Sequence, residues 1–319
     1  MKYIVEYNEG DRFAGIYLCK TKNIQKSKAG KTYYSLILQD KTGIVDGKIW
    51  ELNNAIENFE QGDFIQVDGS VTTFQSSKQI NINRVRVADE GAYDPKDYVP
   101  ASKYSVDKMY EELIKLVDSI EEPHLKKVLN HFFKEDAAFV KEFKVHSAAK
   151  SVHHGFLSGL LQHTLFVTKL CDFYTRMYPL LDRDLLLTAA MLHDIGKVEE
   201  LSEFPAVDYT DRGQMLGHIY IGAERINRVI DSIEGFPPLL ATELIHCILS
   251  HHGELEYGSP KKPAIAEAMA LNMADNTDAK LENITELIEK ADPTTEWLGY
   301  QKFYDSYIRQ SSGTAEKRK

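Results

Sequence analysis

Seven histidine and aspartate side chains stand in apolar, helix-like stretches of the sequence. One stretch, D-L-L-L-T-A-A-M-L-H-D-I-G-K from Asp184 to Lys197, places an imidazole beside a carboxylate where Gly196 is expected to end a helix. Four other stretches carry a histidine, a histidine pair or an aspartate in a similar setting. The seven residues are His163, His193, Asp194, His218, His251, His252 and Asp275. Imidazole and carboxylate together suit Mn, Fe, Co or Zn, so the set indicates a metal centre.

Each of these histidines also has a structural interpretation. A single histidine on an apolar face is usually a core or capping residue, and we interpret His124, His131, His146 and His246 in that way. Independent coincidence does not readily account for seven ligand-type residues in order over residues 163–275, so that set favours metal binding.

The order H … HD … H … HH … D resembles the HD superfamily of metal-dependent phosphohydrolases, in the version that holds two metal ions. The local sequence agrees, with Gly-Leu-Leu-Gln before His163 and His-Asp-Ile-Gly-Lys from His193. By this resemblance the first ion is held by His163, His193, Asp194 and Asp275. Asp194 would bridge to a second ion, whose other ligands would be His218, His251 and His252.

The resemblance also implies a mechanism. Two ions about 3.5–4 Å apart share a bridging hydroxide, which attacks phosphorus while the ions neutralise phosphate charge. We expect Mn, with Co, Fe or Zn as alternatives. Lys197 is expected to reach the scissile phosphate as a point charge, which makes His193, Asp194 and Lys197 the predicted catalytic residues.

Three further residues are candidates for the substrate cleft. His153 and His154 precede the first ligand by about ten residues, and they would either line the cleft or begin a helix. Arg225 would contact phosphate, or it would be solvated or ion-paired instead.

Charge divides the chain into two parts. Residues 1–90 hold 12 basic and 12 acidic residues, whereas the remaining 26 basic and 36 acidic residues carry the whole net charge of −10. All 11 histidines follow residue 123, and an acidic, histidine-rich module suits divalent cations. Three isolated cysteines, with no signal peptide or membrane span, indicate a cytoplasmic protein.

Residues 13–90 have the pattern of a small β-barrel. Strands are predicted at 13–21, 32–40, 43–50, 63–74 and 78–87, with a short helix over 52–59. Val85 is out of step with Ile80 and Ile82, which predicts a bulge in the last strand. This order is typical of an OB-fold, with an SH3-like barrel as the alternative.

The rest of the chain is predicted to be an all-α bundle. Apolar residues recur at three-and-four spacing from Val106, and helical segments are expected to continue to about Ile308. The predicted division is a barrel domain over 1–90, a linker over 91–104, an HD domain over 105–310 and a disordered tail over 311–319.

The barrel carries a basic loop with aromatic neighbours. Single-strand-binding barrels combine such loops with rings that stack on bases, so we predict nucleic-acid contacts here. The alternative is a solvated lysine loop over an ordinary core. The candidate contacts are Lys20, Lys22, Lys26, Lys28, Lys31, Tyr33, Tyr34, Trp50 and Phe74.

The two modules together resemble the YhaM-type bacterial 3′-5′ exoribonucleases, over residues 10–310. The resemblance implies a Mn-dependent exonuclease that degrades single-stranded RNA, and also single-stranded DNA, from the 3′ end to nucleoside 5′-monophosphates. It leaves a homo-oligomer open. Two other classes remain: an HD phosphohydrolase acting on cyclic dinucleotides or nucleotides, and a non-catalytic nucleic-acid- or nucleotide-binding protein.

Overall fold

A computed structural model of the chain describes residues 2–27, 30–74, 77–94, 97–98, 102–149, 156–204, 207–292 and 294–317. None of the helices in these ranges is long and apolar enough to cross a membrane.

Five strands close into a barrel in the order β1-β2-β3-β5-β4. The strands are β1 (Arg12–Lys26), β2 (Thr32–Asp40), β3 (Gly43–Ile49), β4 (Phe64–Phe74) and β5 (Ser77–Val87). All neighbouring pairs are antiparallel except β3 with β5. This is the predicted OB-fold, and it replaces the SH3-like alternative.

The predicted bulge in β5 is confirmed. Asp68 pairs with Arg84 whereas Gly69 pairs with Ile82, so Asn83 is the extra residue. The bulge changes the alternation, and Ile82 and Val85 both enter the barrel core.

The predicted short helix over residues 52–59 is wrong. This connection has no helix, and Ile56 instead forms a parallel bridge to Val85. Phe59 is buried in the barrel core, so the apolar residues of this segment serve barrel packing rather than a helix face.

Helices form most of the second half, as predicted. They are α1 (Val106–Asp118), α2 (Pro123–Asn130), α3 (Ala137–Val145), α4 (Gly159–Met177), α5 (Arg183–Leu192), α6 (Lys197–Glu200), α7 (Asp211–Ser232), α8 (Pro238–Ser250) and α9 (Ala266–Lys290). Side-chain oxygens cap several of their first turns; Asp182, for example, accepts from the Leu185 amide at 3.0 Å.

The end of the chain differs from the prediction. Helix does not continue to Ile308, because residues after α9 form a hairpin of β6 (Trp297–Gln301) and β7 (Ser306–Arg309). The predicted disordered tail also contains a short helix, α10 (Ser312–Lys317). The Ser311 hydroxyl accepts from the Thr314 amide at 3.3 Å, which stabilises its first turn.

The predicted linker is packed against both parts of the chain. Tyr93 stacks on Phe64 of β4 with ring centroids 4.0 Å apart, and Tyr98 is buried beside them. Leu157 and Phe204 from the helical part join the same apolar cluster. The barrel and the helices therefore share a contact through this segment.

Candidate metal centre

The seven predicted ligands lie in, or directly after, five helices that converge in the helical core. His163 lies in α4, His218 in α7 and Asp275 in α9. His193 and His251 each follow the last residue of a helix, α5 and α8 respectively. In both, Nδ1 lies within hydrogen-bonding distance of a carbonyl three residues earlier, at 2.8 Å from Ala190 and 2.7 Å from Ile248. The same contact with a backbone carbonyl thus orients both imidazole rings.

One group of ligand atoms surrounds the His163 Nε2 atom. It lies 3.1 Å from His193 Nε2, 3.4 Å from Asp194 Oδ2 and 3.2 Å from Asp275 Oδ1. Asp194 Oδ2 is also 3.3 Å from His193 Nε2. We call these four residues the first group. The structure brings together the residues that the family resemblance assigned to the first ion.

A second group lies on the other oxygen of Asp194. Asp194 Oδ1 is 3.4 Å from His218 Nε2 and 3.7 Å from His251 Nε2. His218, His251 and His252 each offer a ring nitrogen within 4.8 Å of the others. These three histidines form the second group, and Asp194 connects it to the first.

Several atoms of the centre have polar character but no hydrogen bond. Asp194 Oδ1, His218 Nε2 and His251 Nε2 are buried and lack a hydrogen-bond partner among the described residues. A buried polar atom without a partner costs about 1–3 kcal/mol, unless something else binds it. Three such atoms, one on a carboxylate and two on imidazoles, offer lone pairs that fit a divalent cation.

The ionisation states of Asp194 and His251 fit the same role. Burial alone would raise the pKa of Asp194, but Lys197 and His193 hold it well below its usual value, so it is ionised. Burial lowers the pKa of His251 well below its usual value, and His252 and His193 lower it further, so its ring is neutral. Ionised carboxylate and neutral imidazole are the forms that bind metal.

Two carboxylates that the sequence analysis missed orient the ligands. Asp278 Oδ2 lies 2.7 Å from His163 Nδ1, and Glu200 Oε1 lies 2.9 Å from His218 Nδ1. Both contacts engage the ring nitrogen that does not face the centre, which fixes the ring for binding through Nε2. Asp278 had a detectable signal, since it lies three residues after Asp275 on the same helix face. Glu200 had none.

Glycines allow the backbone to approach the centre closely. Gly217 has φ +72° inside α7, and this break leaves the His218 amide free to donate to Glu200 Oε1 at 2.9 Å. A Cβ on Gly196 would lie 2.1 Å from the His218 carbonyl oxygen, so only glycine fits where α6 begins.

Lys197 lies at the centre, in contact with a ligand. Its Nζ is 2.7 Å from Asp194 Oδ2, and only 15% of its side chain is exposed.

Arg225, a candidate for the substrate cleft, is ion-paired instead. Its Nη1 lies 3.3 Å from Glu199 Oε1 and its guanidinium 4.8 Å from the Phe139 ring centroid. His153 and His154 lie outside the described residues.

The predicted nucleic-acid contacts fall into two sets. Tyr33, Trp50 and Phe74 line one groove of about 520 Å³ on the barrel. By contrast, Tyr34 packs against the barrel core, and the Lys22 ammonium donates to the Phe59 carbonyl beneath it. These two residues therefore contribute to packing.

The remaining lysines of the loop are placed less uniformly. Lys20 and Lys26 are exposed, and Lys31 lies 3.3 Å from Glu51. Lys28 is outside the described residues.

Comparisons with known proteins agree with both parts of the fold. Residues 160–280 match the family model described as HD domain, and residues 20–88 match that of the OB-fold nucleic acid binding domain. The chain is 33% identical over 294 residues to the 3′-5′ exoribonuclease YhaM of Geobacillus sp. (strain WCH70), covering 92% of this chain and 90% of that protein.

Among solved structures, the second OB-fold domain of replication protein A from Methanococcus maripaludis is 23% identical, with a TM-score of 0.22. The match covers 29% of this chain and 98% of that domain. A replication protein A heterotrimer bound to ssDNA is 19% identical, with a TM-score of 0.20, over 27% of this chain and 62% of that one.

Proposed function

Because this chain belongs to the YhaM family of 3′-5′ exoribonucleases, we propose that it shortens single-stranded RNA from the 3′ end and releases nucleoside 5′-monophosphates. Its family and its HD domain make it a hydrolase of phosphodiester bonds. The observation that supports the proposal most is the position of Asp194. One of its oxygens faces the first group of ligand atoms and the other faces the second.

We infer that two divalent ions bind at this carboxylate. Asp194 Oδ2 with His163, His193 and Asp275 would hold one, and Asp194 Oδ1 with His218, His251 and His252 the other. The mixture of imidazole and carboxylate favours Mn²⁺ over Mg²⁺. When bound, the two ions supply an activated water and neutralise negative charge on the phosphate.

Lys197 is proposed to act on both the ligand and the substrate. Its ammonium carries three donors, and the contact with Asp194 Oδ2 uses one. The same group can therefore keep Asp194 ionised and oriented while it donates to a phosphate oxygen. Burial reduces the screening of the Lys197 charge by solvent. The contact between Lys197 and the phosphate oxygen would therefore strengthen as negative charge develops on the phosphate during hydrolysis.

The barrel is proposed to hold the strand that the helical part hydrolyses. Tyr33, Trp50 and Phe74 offer rings to bases, and the exposed Lys20 and Lys26 offer charge to phosphates. Stacking and backbone charge do not read the 2′-hydroxyl, so we expect single-stranded DNA to be degraded as well. We place the two domains at 1–90 and 105–310, because β5 ends at Val87 and α1 begins at Val106.

A 3′-to-5′ degradation assay tests the proposal. Metal-stripped protein would be incubated with 5′-labelled single-stranded RNA, with and without Mn²⁺. We expect a Mn²⁺-dependent ladder that shortens from the 3′ end, absent in Asp194→Ala and retained in the control Asp231→Ala, which alters an exposed carboxylate. If protein carrying two metal ions left RNA intact, the exonuclease proposal would be rejected. Cyclic dinucleotides would then be the next substrates to test.

A further inference from the structure

The outer face of the barrel carries a continuous polar and aromatic surface across three strands. In β2, β3 and β5 the side chains alternate, so that residues such as Leu36, Val45 and Ile80 enter the core and their neighbours face outward. The outward residues are Tyr33 and Ser35 of β2, Asp46 and Lys48 of β3, Trp50 just after β3, and Gln79 and Asn81 of β5.

Aromatic rings form the walls of the groove on this face. Tyr33 and Trp50 have ring centroids 4.6 Å apart, and the Trp50 indole N–H donates to Asn81 Oδ1 at 3.0 Å. Phe74 lines the same groove and is 59% exposed. The hydrogen bond fixes the Trp50 ring, so its face is preorganised for stacking on a base.

The floor of the groove is a hydrogen-bonded row of polar side chains. The Lys48 ammonium donates to Asp46 Oδ1 at 2.8 Å and to the Ser35 hydroxyl at 2.7 Å. On the other side, Gln79 Nε2 donates to Asp46 Oδ2 at 2.6 Å, as expected from the parallel pairing of these two residues. Asp46 is therefore held in one orientation by neighbours on both sides.

Lys48 and Asp46 on the floor have hydrogen-bonding sites that these contacts do not use, and the sites lie in a defined order. A lysine ammonium has three donors, of which two are used here. A carboxylate has about four acceptor sites, and Asp46 uses one on each oxygen in these contacts. A ligand in the groove thus meets one donor followed by two acceptors.

We propose that this groove is a subsite that selects guanine in the bound RNA strand. The Watson–Crick edge of guanine presents the O6 acceptor, the N1–H donor and the N2 amino group in that order. It complements Lys48 and the two oxygens of Asp46, while the ring stacks on Trp50. Uracil, cytosine and adenine each present an edge that leaves at least one of these groups without a partner. The inference rests on the proposed function, since the strand is its substrate.

Trp50 provides a direct measurement, because the chain has only one other tryptophan, Trp297. Full-length protein carrying Trp297→Phe and Asp194→Ala, with Mn²⁺ present, would be titrated with uridine nonamers that carry G, A, C or U at the centre. Quenching of the Trp50 fluorescence should give an affinity for the G nonamer about 10-fold or more above the others, the range of a good bidentate base contact. Free 5′-GMP should bind at least ten-fold more weakly, about the factor that one further stacked base contributes.

Asp46→Asn tests the carboxylate without removing the side chain. An amide presents one acceptor and one donor, so the preference for guanine should be lost and adenine should gain. Glu57→Gln, an exposed change elsewhere on the barrel, should leave the preference unaltered. A fold defect would weaken all four nonamers equally, which distinguishes it from a change in preference.

Three results would overturn the inference. The first is equal affinity for the four nonamers, and the second is an unchanged guanine preference in Asp46→Asn. The third is an affinity for 5′-GMP as high as that for the G nonamer, which would make the groove a free-nucleotide site. If protein with Asp194 intact still degraded RNA from the 3′ end in those cases, the proposed function would stand. Absence of degradation would reject the proposed function whatever the groove prefers.

Discussion

The metal centre and the barrel groove hold their functional groups in opposite ways. His193 and His251 are fully buried, and their Nδ1 atoms lie against backbone carbonyls. In the groove, Trp50 and Phe74 are 43% and 59% exposed. Hydrolysis requires ligand atoms at fixed positions, whereas a passing strand requires open ring faces that accept successive bases. If both proposals hold, we expect that catalysis and strand binding can be lost separately.

The largest expected effect is on the metal centre alone. Asp194→Ala removes the only carboxylate that contacts both ligand groups among the described residues, so hydrolysis should fall by on the order of 10³-fold or more. RNA binding through the barrel should change by less than about two-fold, since Asp194 lies in the helical core. Single-turnover cleavage and fluorescence anisotropy measure the two quantities. An equal loss of both would contradict the separation of the two regions.

The orienting carboxylates should separate the two ligand groups within the centre. Glu200→Gln weakens the hydrogen bond that orients His218, and Asp278→Asn weakens the one that orients His163. Each variant should therefore lower the affinity of one Mn²⁺ site by about 10–100-fold. Calorimetric titration of metal-stripped protein with Mn²⁺ resolves the sites without any substrate.

Glu234→Gln alters an exposed carboxylate and provides the matched control for these variants. If Glu200→Gln and Asp278→Asn weakened the same site, the proposed assignment of ligands to two ions would be wrong.

The sequence predicted the clustering of the candidate ligands better than it predicted what surrounds them. Metal ligands are restricted to a few residue types, so His163 and Asp275 were recognisable by type and order more than 100 residues apart. Glu200 was missed because acidic residues are common on helix surfaces. Only the packing of α6 against α7, which Gly196 permits, brings its carboxylate to His218.

The terminal hairpin shows why local periodicity was misleading. Helix was expected to about Ile308, and Trp297, Tyr300, Tyr304 and Ile308 do have the spacing of a helix face. In the structure Asp305 adopts φ +48° between the strands, a conformation that no helix interior contains. Trp297 and Tyr300 are exposed and Tyr304 and Ile308 are only half-buried, so the pattern did not reflect a fully buried helix face.

In the groove, replacement of the stacking ring should have a moderate effect. Trp50→Ala is expected to weaken RNA binding by about 5- to 150-fold, which corresponds to the 1–3 kcal/mol of one base stack. Single-turnover cleavage at saturating RNA should be unaffected, because Trp50 follows β3 of the barrel whereas the candidate ligands lie in the helical part. Trp297→Ala is the matched control, because that ring is also exposed but lies on β6. Equal weakening by both variants would remove the groove from the binding surface.

The smallest effect distinguishes two neighbouring lysines that the sequence analysis treated alike. Lys20 is exposed at the irregularity in β1, so Lys20→Gln should reduce the salt dependence of RNA binding by about 0.7 in log–log slope, the value of one phosphate contact. The Lys22 ammonium lies 4.6 Å from the Phe59 ring centroid and only 11% of its side chain is exposed. Lys22→Gln should therefore lower the Tm and leave the salt slope unchanged, because its charge already serves the barrel. The reverse outcome, a change of salt slope in Lys22→Gln only, would show that the largely buried Lys22 ammonium contacts the strand. Side-chain exposure would then be a poor guide to the binding face.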